Sequence, residues 1–427
     1  MKEEIKEKAQ YCLNCQNPQC RIGCPLGNHI PDFIAQVKQG DYQKAYEILC
    51  ETTVLPAICG RICPHQKQCQ GKCIRGIKGE SVSIGDIEKT VGDWALEREE
   101  SLLNCYLKQG MPKETNGKKI AIIGGGPAGL TASSFLRKAG YQVTIYEKQK
   151  DLGGILKRGI PEFRLSKEIV EKVIAQILSL GIQVEYEKEL GKNLNIAELE
   201  KEYDVIFLSI GANIPRKMMI EGEELEGVFG GNSLLELGNH PDYHGKRVSI
   251  IGGGNVAMDC ARTIKRLGAE QVVVIYRRSE EEMPAEVKEI EDAKKEGVEF
   301  LFLTNITKVL GNEKVEQIEC IKTMLVEKEG EKRKVPVDIE NSNYCMPMDY
   351  VVMAVGGKAD KEMLKEQDIA IGTRKYVSVD EDGRTSNPKV FAGGDVVGQT
   401  ATVAWAARDG REVAKKIIDY LEDNRMA

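Results

Sequence analysis

Lys119-Ile-Ala-Ile-Ile-Gly-Gly-Gly-Pro-Ala-Gly-Leu130 and Arg247-Val-Ser-Ile-Ile-Gly-Gly-Gly-Asn-Val-Ala-Met258 are two copies of one pattern. In each, a short apolar run meets a glycine turn that opens onto a helix. The spacing predicts a strand over 120–123, a helix over 128–139 stopped by Gly140, and a strand over 142–146. The same series is expected at 247–251, 256–267 and 271–276. In Gly124-x-Gly126-x-x-Gly129 the first glycine permits the tight turn. The second lets a pyrophosphate reach the backbone, and the third lets helix and strand pack closely. Gly252-x-Gly254-x-x-Ala257, with Asn255 opening the helix, repeats this with the tolerated Ala in third place. A helix N-terminus supplies free N–H groups and a positive dipole to phosphates. The alternative, a glycine turn without a ligand, leaves the register of strand, helix and following strand unexplained.

The two copies differ at the tip of the second strand. Glu147 stands there in the first, where an acid can bind ribose hydroxyls. Arg277 and Arg278 stand there in the second, where guanidinium groups suit a 2′-phosphate. The bland reading is that both arginines are solvated or pair with Glu280–Glu282. The acidic tip suits FAD and the basic tip suits NADP(H). Gly394-Asp395 follows a late apolar strand, where the Asp can hold the ribityl or phosphate side of a flavin. The next helix begins near Thr402, and its N-terminus is placed to face the flavin pyrimidine edge. A flavin carries hydride chemistry itself, so no catalytic side chain is required.

Working outward, 427 residues exceed one ordinary core. Three regions follow: 1–115, rich in Cys and helical (30–39, 42–49); a flavin domain split into 116–244 and 356–427; and a nicotinamide domain over 245–355. The fold class is α/β, with an all-helical N-terminal domain before two Rossmann-like domains. The net charge of −6 offers no basic excess for nucleic acid. No apolar run reaches the roughly 20 residues a membrane helix needs. The charged start Met1-Lys-Glu-Glu4 carries no signal-peptide pattern, so a cytoplasmic protein is expected.

Of 13 cysteines, nine lie at or before Cys73. Cys12-x2-Cys15-x4-Cys20-x3-Cys24-Pro25 and Cys59-x3-Cys63-Pro64-x4-Cys69-x3-Cys73 are dense runs of the kind that wrap iron–sulfur clusters, with ligands crossing between runs. Zinc and disulfides are the rivals. Cys50, Cys105, Cys260, Cys320 and Cys345 stand alone and read as buried small hydrophobes.

These cysteine runs, with Gly159-Ile-Pro-Glu-Phe-Arg-Leu165, Gly252-Gly-Gly-Asn-Val-Ala-Met-Asp259, Tyr276-Arg-Arg278 and Phe391-Ala-Gly-Gly-Asp395, resemble the glutamate synthase small-subunit family over nearly the whole chain. Relatives of that family include the N-terminal half of dihydropyrimidine dehydrogenase and the NADPH-binding subunit of ferredoxin-linked transhydrogenases. The resemblance implies an NADPH, FAD and iron–sulfur oxidoreductase with two interleaved [4Fe–4S] clusters. Cys12, Cys15, Cys20 and Cys73 would hold one, and Cys24, Cys63, Cys69 and Glu88 the other. Spacing alone suggests Cys59 in place of Glu88. Gly154 and Arg164 join the FAD site by the same resemblance. Gly-Gly-Lys-Ala-Asp after Val355 departs from the family's Gly-x-x-Pro-Asn.

The resemblance also implies a partner: a large catalytic subunit with FMN or iron–sulfur centres, or ferredoxin. Glutamate synthesis, bifurcating transhydrogenation and dihydropyrimidine oxidation are not separated by the sequence. A thioredoxin-reductase-like enzyme needs a redox Cys pair beside the flavin, and the one Cys-x-x-Cys here, Cys12–Cys15, lies in the cluster run. A non-catalytic assembly factor would have no need of intact phosphate loops.

Overall fold

The computed structural model describes residues 2–426 apart from Lys332, Arg374 and Gln399. Two compact units emerge, 1–157 with 162–212 and 359–427, and 213–358 with the short segment 158–161.

The first unit begins with helices Lys2–Gln10, Gln19–Gly23, Ile30–Gln39, Tyr42–Leu49, Pro56–Ile62, Ile84–Leu96 and Ser101–Lys108, without a strand among the described residues before Lys119. Ile30, Phe33, Ile34 and Val37 bury one face of their helix. Pro56–Ile62 and Ile84–Leu96 touch backbone to backbone. A Cβ on Gly60 would stand 2.4 Å from the Lys89 nitrogen, and one on Gly92 2.3 Å from that of Ala57. The Arg61 guanidinium clamps the same pair through two bonds to Asp93, at 2.7 and 2.9 Å. Glycine here is a matter of space.

After the loop at 113–118, a parallel sheet runs in the order Val390–Ala392, Val205–Leu208, Lys119–Ile123, Gln142–Tyr146, Gln183–Glu185. The strands Lys119–Ile123, Val205–Leu208 and Val390–Ala392 are apolar on both faces, as sheets covered by helices require. Helix Pro127–Lys138 packs against the closing helix Val403–Met426, so closely that a Cβ on Gly410 would lie 2.2 Å from the Ala128 carbonyl.

The second unit repeats the plan. Val228–Gly230, Tyr350–Met353, Arg247–Ile251, Gln271–Tyr276 and Glu299–Phe302 form a parallel sheet in that order. One face packs on helix Asn255–Arg266, and the other on an antiparallel sheet built from Thr304–Leu310, Gln317–Val326, Val335–Asp338 and Tyr344–Pro347. Gly357–Lys358, where the sequence departs from the family pattern, pairs with Ile214–Pro215 within this unit.

Among the described residues no helix is long and apolar enough to cross a membrane. One expectation is corrected: Cys345 is exposed, on a strand with one face open to water. Cys50, Cys105, Cys260 and Cys320 are buried, but Cys50 does not stand alone, because its thiol lies against Cys105 and burial raises its pKa.

Candidate functional site

The first glycine loop is shaped by what it excludes. Gly124 takes φ +103° at the end of its strand, and a Cβ there would meet the Ser209 carbonyl at 2.6 Å. A Cβ on Gly129 would stand 2.0 Å from the Gly124 carbonyl, so only hydrogen lets the helix start this close to the strand. Gly126 caps that helix and faces open space, which is the vacancy a diphosphate needs. Gly154 lies beside it, its added Cβ falling 3.1 Å from the Gly126 Cα. Glu147 is buried at the strand tip. Its Oε2 accepts from the Gly125 N–H at 2.8 Å and its Oε1 from the Gln149 N–H at 2.9 Å. The acid therefore ties the loop as well as presenting charge.

Gly394-Asp395 comes against the same helix start: a Cβ on Gly394 would lie 3.0 Å from that of Ala128. The Gly394 N–H donates to Asp409 Oδ2 at 3.2 Å, and Asp395 Oδ1 is buried with no hydrogen-bond partner. Burial and the Asp409 charge push the Asp395 carboxyl up to about 6. Burial raises Asp409 to about 6 as well. An orphaned carboxylate oxygen beside a phosphate-shaped loop fits a hydroxyl-rich ligand such as a ribityl chain. Thr402 caps the closing helix, its Oγ1 accepting from the Trp405 N–H at 3.4 Å. Arg164 is half-buried in the turn before helix Lys167–Leu178. Asp409 is a member that sequence reading missed; its place is set where the chain turns back between the short helical turn at 394–397 and helix Val403–Met426.

The second loop repeats the exclusions with other neighbours. Gly252 takes φ +138°, and its Cβ would meet the Ala354 carbonyl at 2.3 Å. Gly254 caps the helix and is nearly open, while Ala257 carries its methyl without strain, fully buried. Asn255 Oδ1 accepts from the Glu286 N–H at 2.9 Å, fixing the next loop. Arg277 is exposed at the strand tip. Arg278 donates to the Lys334 carbonyl at 3.1 Å and lies 3.5 Å from Glu282, so the pairing weighed above holds for one of the two arginines. A third guanidinium, missed in the sequence, joins them. Arg333, from the loop joining two antiparallel strands, reaches the Tyr276 hydroxyl at 3.4 Å and the Glu282 carbonyl. Three arginines on one strand tip fit a 2′-phosphate.

In the helical region, Cys12, Cys15, Cys20 and Cys73 line one cavity. Burial, then Cys73 and Cys12, push the Cys20 thiol up to about 11. The second group lies deeper. Glu88 is buried and accepts from Asn28 Nδ2 at 3.2 Å, while Thr52 donates to Asn28 Oδ1 at 2.8 Å. Burial raises the Glu88 carboxyl to about 8. Cys24 is pushed up to about 12 by burial and by Glu88. Burial, then Cys24 and Glu88, raise Cys69, whereas Cys63 is raised first by its contact with Cys59 and then by burial. Glu88 and Cys59 both lie near enough to Cys24 and Cys63 to raise them. Among the described residues no three such side chains converge on a single ion. Thiols around a cavity wall fit the corners of a cluster, and crowded, buried acids are stabilised as anions by positive iron.

Residues 118–410 match the family described as pyridine nucleotide-disulphide oxidoreductase, and residues 1–100 match dihydropyrimidine dehydrogenase domain II, 4Fe-4S cluster. The glutamate synthase [NADPH] small chain of Escherichia coli K12 is 34% identical, over 98% of this chain and 92% of that one. The chain belongs to the glutamate synthase small-chain family. It is an NADPH-dependent flavin oxidoreductase with a 4Fe-4S domain. Other proteins match this small-chain sequence too. The NADP(+)-dependent formate dehydrogenase subunit beta of Moorella thermoacetica is 36% identical over 94% of this chain and 60% of its own. Mycobacterium tuberculosis FprA in complex with NADPH shares the fold, with TM-score 0.64 and 21% identity over 72% of this chain and 85% of that one.

Proposed function

We propose that the chain takes electrons from NADPH and delivers them singly, through FAD and two [4Fe–4S] clusters, to a protein outside itself. The observation that carries this reading is the coexistence of an acidic-tipped and a basic-tipped dinucleotide loop with two separate thiol groups. Flavin, when bound, supplies hydride acceptance and single-electron release. The chain does the rest. Gly124, Gly126, Gly129 and Gly154 shape the FAD diphosphate site, and Glu147 ties its loop and meets the ribose. Asp395 offers its free oxygen to the ribityl side, and Thr402 opens a helix whose dipole stabilises negative charge. Arg164 completes that site by family resemblance. Gly252, Gly254, Asn255 and Ala257 shape the nicotinamide dinucleotide loop, with Arg277 and Arg278 on the 2′-phosphate. Cys12, Cys15, Cys20 and Cys73 hold the shallower cluster. Cys24, Cys63, Cys69 and Glu88 hold the deeper one, Glu88 being preferred to Cys59 by family resemblance. The domain organisation proposed is a helical cluster domain over 1–115, a flavin domain over 116–244 and 356–427, and a nicotinamide domain over 245–355.

The acceptor proposed first is a larger catalytic subunit, as the small-chain name of its relatives implies; a reductase of a diffusible carrier is the second reading. Anaerobic purification from the native host, with flavin and iron assays and native mass spectrometry, tests both. About eight irons and one FAD per chain, bleached by NADPH, are expected. A flavin-free or iron-free protein that leaves NADPH untouched overturns the reading. Glu88→Ala should alter one cluster's EPR signal while Cys59→Ala leaves both, and the reverse result reassigns the eighth ligand.

A further inference from the structure

Residues 24–28 read Cys-Pro-Leu-Gly-Asn, and the glycine decides where the asparagine goes. Gly27 takes φ +66°, and its N–H donates to the Cys24 carbonyl at 2.9 Å, closing a tight turn. The turn carries Asn28 back over Cys24, so that the backbone N–H groups of Leu26 and Asn28 both lie within hydrogen-bonding reach of the Cys24 sulfur. Asn28 is 1% exposed. An asparagine just before a helix ordinarily caps it. Here the cap position of helix Ile30–Gln39 belongs to His29 and has no side-chain bond, so the Asn28 amide is directed elsewhere.

It is directed at Glu88. The amide Nδ2 donates to Glu88 Oε1 at 3.2 Å, and Oδ1 accepts from the Thr52 hydroxyl at 2.8 Å. That hydroxyl also lies 3.3 Å from the Leu49 carbonyl at the end of helix Tyr42–Leu49; the shorter contact is the one to Asn28. By donating to Oδ1, Thr52 sets which end of the amide faces the acid. Glu88 is buried, and among the described residues Asn28 is the hydrogen-bond partner its carboxylate has. One neutral N–H is thin support for a buried carboxylate, and it engages one oxygen while leaving the other. Cys24, Cys63 and Cys69 stand close to that acid. Asn28 thus reaches two members of the deeper group at once, a sulfur through its backbone and a carboxylate through its side chain. A core asparagine that is merely satisfied has no reason to divide its donors between two atoms of one thiol-lined site.

We propose that Asn28 is a positioning residue for the deeper [4Fe–4S] centre: it holds Glu88 and Cys24 as ligands and raises the reduction potential of that centre, with Thr52 orienting its amide. The inference rests on the functional reading above, in which Glu88 and Cys24 are ligands. N–H groups on ligand atoms draw charge off the metal and favour the reduced centre, so their loss should make it harder to reduce.

The test uses the full chain, purified anaerobically with its cofactors, and the variants Asn28→Ala, Thr52→Val, Thr52→Ser and Glu88→Ala. Both centres are titrated against applied potential and followed by EPR, with the shallower centre as internal reference, and iron is counted. In Asn28→Ala the deeper centre alone should move to a lower midpoint. Its oxidised-to-reduced ratio at the parent midpoint should rise about tenfold, which is about 59 mV for one electron. Thr52→Val keeps the size and removes the hydroxyl, and should act in the same direction by about threefold. Thr52→Ser should hold the parent value. A merely structural asparagine would lower iron content or melting temperature and leave the midpoint where it was, and that result overturns the proposal. If Asn28→Ala does not load, Thr52→Val against Thr52→Ser decides, and equal midpoints overturn it. Glu88→Ala separates the two readings. If it alters the deeper centre while Asn28→Ala does not, the positioning role falls and the ligand stands. If it leaves both centres as in the parent, the ligand assignment falls and the positioning role falls with it.

Discussion

The two glycine loops are built on the same strand order and the same turn, and they part company at the residue after a shared tyrosine. After Tyr146 comes Glu147, buried and bonded to the N–H of Gly125; after Tyr276 comes Arg277, exposed. In the second loop the ring of Tyr276 stands 2.6 Å from where a Cβ on Gly253 would be, whereas in the first a Cβ on Gly125 would meet Leu152 at 2.3 Å and the Glu147 carboxylate at 3.1 Å. One loop is therefore closed by an internal carboxylate, and the other by an aromatic wall that sends its cations outward. A duplicated unit can thus change its ligand class at its rim while its floor stays the same.

The largest effect should come from attacking the floor where the copies differ by one methyl. Gly129→Ala places a carbon 2.0 Å from a backbone oxygen, and the purified protein should lack flavin absorbance. Ala257→Gly removes a methyl that fits, and NADPH affinity should change by less than about threefold. A yellow Gly129→Ala protein would show that the first floor accepts the methyl as the second does.

Next come the rims. Glu147→Ala strips one buried and one half-buried N–H group of their partner, and at about 1–3 kcal/mol for the buried one the loss of FAD affinity should reach about tenfold by fluorescence titration. Arg277→Ala with Arg278→Ala should raise KM for NADPH by about 10–100-fold, since bonds to charged groups contribute about 1.5–3 kcal/mol, and leave that for NADH little changed. Equal effects on both nucleotides would remove the assignment of the basic tip. Arg333→Ala should act in the same direction but by only about three- to tenfold, because its guanidinium is also held by the Glu282 carbonyl.

The smallest effect concerns pH. Asp395 and Asp409 ordinarily ionise near 3.8 and are raised to about 6 here. Between those values the folded protein binds more protons than the unfolded chain, so stability falls as pH rises through that window. Flavin-free protein should therefore melt higher at pH 4.5 than at pH 6.5 so far as this pair is concerned, and Asp409→Asn should flatten the slope in calorimetry. An unaltered slope would place the pair outside the linkage.

The inner strands of both parallel sheets and the helices that open the loops were legible because apolar runs and glycines repeat at fixed spacing, whereas the short strands Gln183–Glu185 and Val228–Gly230 and the antiparallel sheet were not. The boundaries moved by a residue at Lys119, Pro127 and Asn255, where Pro or Asn takes the first helical position. What stayed hidden depends on contacts distant in sequence. Asp409 reaches Gly394 because the chain turns back between the short helical turn at 394–397 and helix Val403–Met426, a span of 15 residues with no periodic signal. Arg333 reaches Tyr276 only because a β-hairpin folds back. The burial of Glu88 follows from the tight crossing at Gly60 and Gly92, which no local pattern announces.

Arg411, on the closing helix, is buried and donates to the carbonyls of Leu26 and Thr52, both at 2.7 Å. Leu26 follows Cys24 and Pro25, and Thr52 holds Asn28 on Glu88, so the wall of the deeper thiol group is tied to a residue 385 positions later. A ribosome adding roughly 5–20 residues each second needs about 20–80 s to cover that distance. Throughout that interval the cysteine loops lack their final strut. A chain stalled before helix Val403–Met426 is made would leave Leu26 and Thr52 without the donor that ties them together.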